Sequence, residues 1–519
     1  MPHTRWFDGV RLSYAEHIFR QENPERPAIL YKDESQSIKS IGWEELKEMT
    51  ARAQQFLRRA GVEMSDRVVA YMPNIPETTA CFLAANASGA VWSSCSPDFG
   101  TASILDRFQQ IEPAALIAVD GYQYNGKFFD TRSTVEQLIR SLPSLRVVLV
   151  VGNRYKHLPK IQDARVTYWD ALEPAGAELT FERVPFQHPQ WVLFSSGTTG
   201  LPKAITHSVG GILLEQLKYG AFHNNFKTGD RCFWFTTTGW MMWNYIHGSL
   251  LVGGTLVLYD GSPGYPTLNT LWQLCEQARI THFGTSASFI MACKKAGIHP
   301  GQTYDLSALQ SIGSTGSPLP PEGFQWIYEE VKKDVWLASM SGGTDVCSAF
   351  VGGNPLLPVY EGEIQCRALG CALESWSEEG KPLIDEEGEL VVTRPMPSMP
   401  VFFWNDPDFK RYKESYFEYF PDRWRHGDWI RITPRNGIVI YGRSDATLNQ
   451  GGVRIGTSEI YRAMDEIDQV QDSLIVCIES DGGTFWMPLF VVMKSGCTLD
   501  DNLKRTINKT IRDTCSPRH

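Results

Sequence analysis

A chain of 519 residues, 42% hydrophobic and 21% charged, has the composition of a globular protein, which excludes disorder, collagen and coiled coil as its main architecture. Its 59 acidic side chains against 49 Lys and Arg give a formal charge of -10, an excess too mild and dispersed to suggest a nucleic-acid surface, though local donors can still hold an anionic substrate. Eleven cysteines without a CxxC pair make neither a disulfide scaffold nor a zinc or thioredoxin motif, and they fit a reducing, cytoplasmic compartment.

The first residues lack the apolar core of a secretory signal, and no run of 18 apolar residues suggests a membrane span. Spaced apolar positions predict a helix over 43–60, a strand over 66–72 and a second helix over 77–88. Residues 114–119 and 147–151 are continuous apolar runs without alternation, as strands buried on both faces of a mainly parallel sheet require. Strands over 232–236, 256–259 and 281–285, with a helix over 271–278, repeat the alternation.

After residue 360 the texture changes. Short strands over 361–366, 388–393 and 437–442, bounded by glycine or acidic turns, read as antiparallel hairpins. A helix from 458, strands near 474–478 and 487–493 and a helix from 500 form a last α+β segment. The expected organisation is α/β. A large layered region over 1–360 carries mainly parallel sheets. A β-rich subdomain over 361–444 completes it. An incomplete α+β domain over 445–519 follows, its last helix short of partners for its apolar face.

Between the predicted strand ending at Phe194 and Lys203 lies Ser195, Ser196, Gly197, Thr198, Thr199, Gly200, Leu201 and Pro202. Such a loop offers backbone N–H groups and hydroxyls, glycines that let the main chain approach an anion, and a lysine at its exit. That is a polyphosphate grip, although it is not the GxxxxGK[ST] loop of common ATPases. A solvent-exposed Ser/Gly turn is the other reading.

The string SSGTTGLPK is similar to the signature loop of the adenylate-forming superfamily, which contains acyl-CoA synthetases, luciferases and peptide-synthetase adenylation domains. The resemblance implies that the loop handles the β- and γ-phosphates of ATP. Further segments agree in order. Gly342-Gly-Thr-Asp345 matches a motif ending in Thr-Glu, implying phosphate contact by Thr344 and Mg²⁺ coordination by Asp345. Gly316, Ser317 and Pro318 match the adenine-side loop. Asp428 matches the ribose-binding carboxylate and Arg443 a second ribose or phosphate contact. Taken singly, Asp428 reads as a turn residue and Arg443 as a surface ion pair. Asp445 matches the hinge about which the small domain swings. Gly452 and Arg454 resemble the acetyl-CoA synthetase branch, where they would line the pantetheine tunnel and sit near the phosphates. The implied catalytic set is Lys203, Thr344 and Arg454.

The acid is narrowed by resemblance too. The acetyl-CoA synthetase branch closes its pocket with a tryptophan where this chain has Gly342, which implies room for a longer or polar acyl group. SMSGGTDV and TTTGWMMWN resemble the acetoacetate-activating branch, with Trp240 and Asn244 as candidates near the keto oxygen. Core packing is the other reading of Trp240 to Trp243. The implied reaction is that of an AMP-forming acid–thiol ligase. Acetoacetate and ATP give acetoacetyl-AMP, and CoA then gives acetoacetyl-CoA and AMP. The alternatives are a ligase for another short or medium acid, and an inactive nucleotide-binding pseudoenzyme. The family carries a lysine in a Ser-Gly-Lys-type loop near its C-terminus, and Lys494, Lys504 and Lys509 do not stand in one. The resemblance therefore implies a chain shortened at both ends, with ATP binding better preserved than turnover.

Overall fold

The uninterrupted apolar runs become neighbouring inner strands of the first of two large sheets. The computed structural model describes residues 1, 4–35, 37–152, 154–155, 157–174, 178–195, 201–444, 448–450, 453–455, 460–461, 463–464, 466–480, 484–494 and 496–515, with backbone alone for 448–450, 453–455, 479–480 and 484–485. An eight-stranded sheet runs in the order Val166–Tyr168, Val147–Val151, Ala115–Val119, Arg67–Tyr71, Val91–Cys95, Pro189–Ser195, Lys203–Ser208, Phe402–Phe403. It is parallel until the hairpin Pro189–Ser195/Lys203–Ser208, where it turns antiparallel. A seven-stranded sheet runs Trp336–Ser339, Ser311–Thr315, His282–Ser286, Arg231–Trp234, Thr255–Asp260, Ile29–Asp33, Lys39–Ile41, and only its last pair is antiparallel.

Residue parity sorts the core, because successive strand side chains point to opposite faces. Val68, Ala70, Ile117, Leu149 and Trp191 of the first sheet share one cluster with Ile29, Tyr31, Cys232, Trp234, Leu256 and Leu258 of the second. The residues between them, such as Val69, Leu116 and Val148, face a separate cluster, and Leu30, Phe233 and Val257 face a third. Both faces of each sheet are thus covered, the condition for parallel strands without polar alternation.

The helix Pro76–Ala87 lies in the shared cluster and is buried at every position except Glu77, which pairs with Arg154 at 3.2 Å. Its small, apolar residues on all sides suit burial on all sides. From it Phe82 meets Trp92, Trp191 and Trp243 at ring centroid distances of 5.8, 5.9 and 5.4 Å, and His247 at 5.5 Å.

A five-stranded antiparallel sheet, Pro382–Leu383, Leu373–Trp376, Glu387–Val392, Trp424–Ile432 and Ile438–Arg443, follows. The strand expected over 361–366 is reduced to an isolated bridge, Ile364 to Ile438, and the two-residue strand Cys366–Arg367. Gly362 takes φ +74 there, a left-handed conformation that ends extended chain before pairing begins.

Beyond it, Val470–Ile475 pairs with Leu489–Met493, and Ile478–Ser480 with Thr484–Trp486. The strand expected near 474–478 is broken opposite Pro488, which has no N–H for the ladder. The helix Asp501–Thr514 is capped by Asp500, which accepts from the Leu503 N–H at 2.7 Å. Its apolar stripe Leu503, Ile507, Ile511 is buried against Ile460, Met464 and Ile475, although this face is expected from the sequence to be short of partners. The apolar surface left open lies on the sheet, at Leu474, Phe490 and Val492, each more than half exposed. The Cys515 carbonyl accepts from the Gly100 N–H at 3.1 Å, joining this segment to the helix Thr101–Phe108. Among the described residues no helix is long and apolar enough to cross a membrane.

His247 supplies a pH test of the core. Its Nδ1 bonds the Trp243 carbonyl at 2.6 Å and its Nε2 the Thr79 hydroxyl at 3.0 Å, and burial pushes its pKa down to about 4. An unfolded histidine protonates near pH 6.5. Between about 6.5 and 4 the unfolded chain therefore takes up a proton that the folded chain refuses, and stability is lost as pH falls. The urea midpoint is expected to drop between pH 7 and pH 5, and to drop less in His247→Gln. An unchanged pH slope in that variant would contradict this account.

Candidate functional site

Strands from both large sheets deliver their carboxyl ends to one cavity of about 220 Å³. Cys95, Ser195, Thr315 and Ser339 all stand at or near strand C-termini, the place where open α/β sheets form clefts. The antiparallel sheet closes the far side with Asp428, Ile440, Gly442 and Arg443. Of the residues singled out in the sequence, Ser195, Trp240, Asn244, Gly316, Ser317, Pro318, Gly342, Thr344, Asp428 and Arg443 share this wall. Lys203 and Asp345 are not among the wall residues. Ser196, Gly197, Thr198, Thr199, Gly200, Asp445 and Gly452, and the side chain of Arg454, lie outside the described residues.

Lys203 and Asp345 are linked through a residue that the motif reading missed. The Lys203 ammonium lies 5.4 Å from the centroid of the Tyr416 ring, and the Tyr416 hydroxyl donates to the Asp345 carboxylate. Tyr416 is held by stacking on Trp424, with ring centroids 3.6 Å apart. No motif marks Tyr416, since its position follows from the packing of the helix Lys410–Tyr416 against the antiparallel sheet.

A second chain of contacts fixes the turn carrying Thr344 and Asp345. Trp191 and His207 face each other in the antiparallel hairpin. The Trp191 indole N–H donates to His207 Nδ1 at 3.2 Å, which leaves Nε2–H to donate to the Asp345 carbonyl at 2.9 Å. Burial pushes the His207 pKa down to about 4, so this neutral tautomer persists at neutral pH. The hairpin that leads into the Ser195 loop is thereby bonded to the Thr344–Asp345 turn.

Asp428 and Arg443 are partners in adjacent strands, with the guanidinium donating to the carboxylate at 3.0 Å. Arg443 also donates to the His426 carbonyl at 3.3 Å. Both side chains are largely buried at the cavity edge, which sets this pair apart from the surface ion pair that Arg443 alone suggests. Gly316 opens the opposite loop with φ +95, a conformation that a side chain would strain.

Gly342 corrects a volume argument. A Cβ there would stand 2.0 Å from the Ser348 carbonyl oxygen and 2.5 Å from the Ala349 Cα, so the missing side chain faces the strand Ser348–Gly352 rather than empty space. The ladder shifts register between Ser341 and Gly342, and the two strands close on the glycine. The wall here is shaped by backbone approach, and a bulky residue could not simply be restored to it. Trp240 precedes the helix Met241–Ile246, whose residues Met241, Met242 and Asn244 reach the same wall. Arg107 and Glu363 are further wall residues without a motif. Arg107 donates to the Ser103 carbonyl at 2.7 Å and lies over the Phe99 ring.

With this geometry in hand, similarity to known proteins is informative. The family described as AMP-binding enzyme matches residues 17–400. The acetoacetyl-coenzyme A synthetase of Rhizobium meliloti is 49% identical over 522 residues, covering 99% of this chain and 79% of that protein. The acetoacetyl-CoA synthetase of Mus musculus is 43% identical, covering 99% of this chain and 78% of that one. The solved acetoacetyl-CoA synthetase from Streptomyces lividans has a TM-score of 0.83 at 51% identity, covering 100% of this chain and 79% of that one. The chain belongs to the AMP-binding enzyme family.

The His207 link predicts a contrast between two amides. Glutamine places a donor near the Nε2 position and asparagine an acceptor near Nδ1. His207→Asn is expected to raise hydrogen exchange across residues 343–347, where Val346 and Cys347 N–H groups bond Gly343 and Thr344, while His207→Gln stays near the parent. Equal exchange in both variants would deny the Asp345 bond its role.

Proposed function

We propose that this chain is an AMP-forming acid–CoA ligase acting on acetoacetate. One observation carries the reading. Five separate segments, carrying Ser195, Gly316 to Pro318, Thr344, Asp428 and Arg443, meet on one cavity. Membership in the AMP-binding enzyme family supports use of ATP and CoA, and the acetoacetyl-CoA synthetases at 43% and 49% identity support the choice of acid.

In this reading Gly316, Ser317 and Pro318 border the adenine. Asp428 accepts from the ribose hydroxyls, with Arg443 holding its carboxylate in place and adding positive charge beside the phosphates. Ser195 and the loop Ser196, Gly197, Thr198, Thr199 and Gly200 take the outer phosphates, Lys203 adds charge at the loop exit, and Thr344 contacts the α-phosphate. The acetoacetate carboxylate attacks the α-phosphorus and pyrophosphate leaves. The CoA thiol then attacks the adenylate carbonyl and AMP leaves. The acid is already an anion, so the protein contributes position and charge rather than a nucleophile. Cys95, the thiol on the wall, is pushed up to about 12 by burial and stays protonated at neutral pH, which disfavours an acyl-cysteine route. Asp445 would serve as the hinge between the two half-reactions, bringing Gly452 to the pantetheine and Arg454 to the phosphates.

Magnesium fits as an ion carried by the nucleotide. Among the described residues no cluster of three or more His, Cys, Asp or Glu could hold a resident metal, and a single carboxylate, Asp345, suits an ion that keeps its phosphate and water ligands. The ion would neutralise phosphate charge there.

Two measurements test the reading. Acetoacetate-dependent exchange of labelled pyrophosphate into ATP is expected well above that with acetate or butyrate. Its absence in folded protein that still binds ATP would overturn the ligase reading. Asp428→Asn removes a charged acceptor while keeping its shape. AMP affinity by calorimetry is expected to fall by about 2 kcal/mol, roughly 30-fold. Undiminished AMP binding would remove Asp428 from the ribose.

A further inference from the structure

The cavity wall contains a polar group that the fold leaves unused. Asn244 lies on the helix Met241–Ile246, is fully buried, and forms part of the cavity wall. Its backbone carbonyl accepts from Gln216 at 2.7 Å, but neither atom of its side-chain amide has a hydrogen-bond partner. Buried amides without partners are rare in folded proteins, because losing water without replacement is costly. One placed on a ligand cavity is a group whose partner arrives with the ligand.

The neighbours narrow what that partner is. Met241 and Met242, from the same helix, and Gly342 offer no side-chain hydrogen-bond donor. The Ser348 hydroxyl on the same wall already donates to Glu215 at 2.8 Å. Two other wall hydroxyls without partners, Ser314 and Ser339, face each other across adjacent strands beside the Gly316 loop, on the side assigned to the adenine. Asn244, like the Trp240 indole N–H just before the helix, is thus a neutral donor beside the apolar side chains of Met241 and Met242. A cation there would compete for the acid's own carboxylate and turn the substrate round, and a carboxylate would repel it. A neutral amide N–H can mark a carbonyl along the acyl chain without disturbing the charged end.

We propose that the Asn244 amide N–H donates to the 3-keto oxygen of the bound acyl group and so selects acetoacetate over butyrate. The inference rests on the acetoacetate reading above and adds the residue that enforces it. Butyrate has the same carbon chain without the keto oxygen, and binding it would leave the amide unpaired. Sites built to bond a substrate oxygen reject the analogue lacking it far more strongly than sites that only measure length.

The test uses the full chain and measures binding, so turnover is not required. Non-hydrolysable acetoacetyl- and butyryl-sulfamoyladenosine differ only at that oxygen. Calorimetry is expected to show the unmodified protein preferring the acetoacetyl form at least 10-fold. In Asn244→Leu, of nearly the same shape, the ratio is expected to fall to about one, with butyryl affinity changed less than 3-fold. Asn244→Ala, which cannot clash, gives the same comparison should the leucine variant fail to fold. Equal binding of the two analogues by the unmodified protein would overturn the acetoacetate reading itself, and this inference with it. A preference that survives both substitutions, or a parallel loss of both ligands, would overturn the role of Asn244 alone.

Discussion

The site depends on a short hydrogen-bonded chain through a neutral histidine. Trp191 donates to His207, and His207 donates to the Asp345 carbonyl. The first bond fixes the tautomer that makes the second possible. The second ties the hairpin carrying Ser195 and Lys203 to the turn carrying Thr344 and Asp345, alongside the link through Tyr416. With it, these two segments of the site share one rigid support. Burial keeps His207 neutral, so the link holds at neutral pH.

That chain can be buried because the layers around it are complete. The two large sheets share an apolar cluster in which the helix Pro76–Ala87 is surrounded by aromatic rings. Their strands end together at the cavity, and the antiparallel sheet contributes what parallel strands leave absent there. Asp428 and Arg443 come from neighbouring strands in register, so the carboxylate is oriented by its own ladder partner. Lys203 and Asp345 are coupled across this junction through Tyr416, which the Trp424 ring holds in place.

Much of the fold was legible because the pattern was strong. The apolar runs at 114–119 and 147–151 became strands within one residue of their expected bounds, since only burial on both faces accommodates them. The strand at 361–366 was not legible, because glycine in a left-handed turn and extended glycine look alike in sequence. The break at Pro488 depended on which partner it faced. The last helix was misjudged for a related reason. Its apolar stripe is plain in sequence, but whether Ile460 and Met464 reach it is a matter of tertiary packing.

The sequence by itself determined the layered α/β class, the family and the residue types that meet at the cavity, because periodicity and contiguous motifs are local properties. Tertiary structure alone decided how those residues are held. It joined Lys203 and Asp345 through Tyr416. It turned Asp428 and Arg443 into a buried pair. It showed that Gly342 serves a close backbone contact rather than a vacated side-chain volume. It left the Asn244 amide on the cavity wall without a partner, a feature recognisable only when everything around it is known. Each of these is a relation between segments far apart in the chain, fixed by side chains that must share the same space.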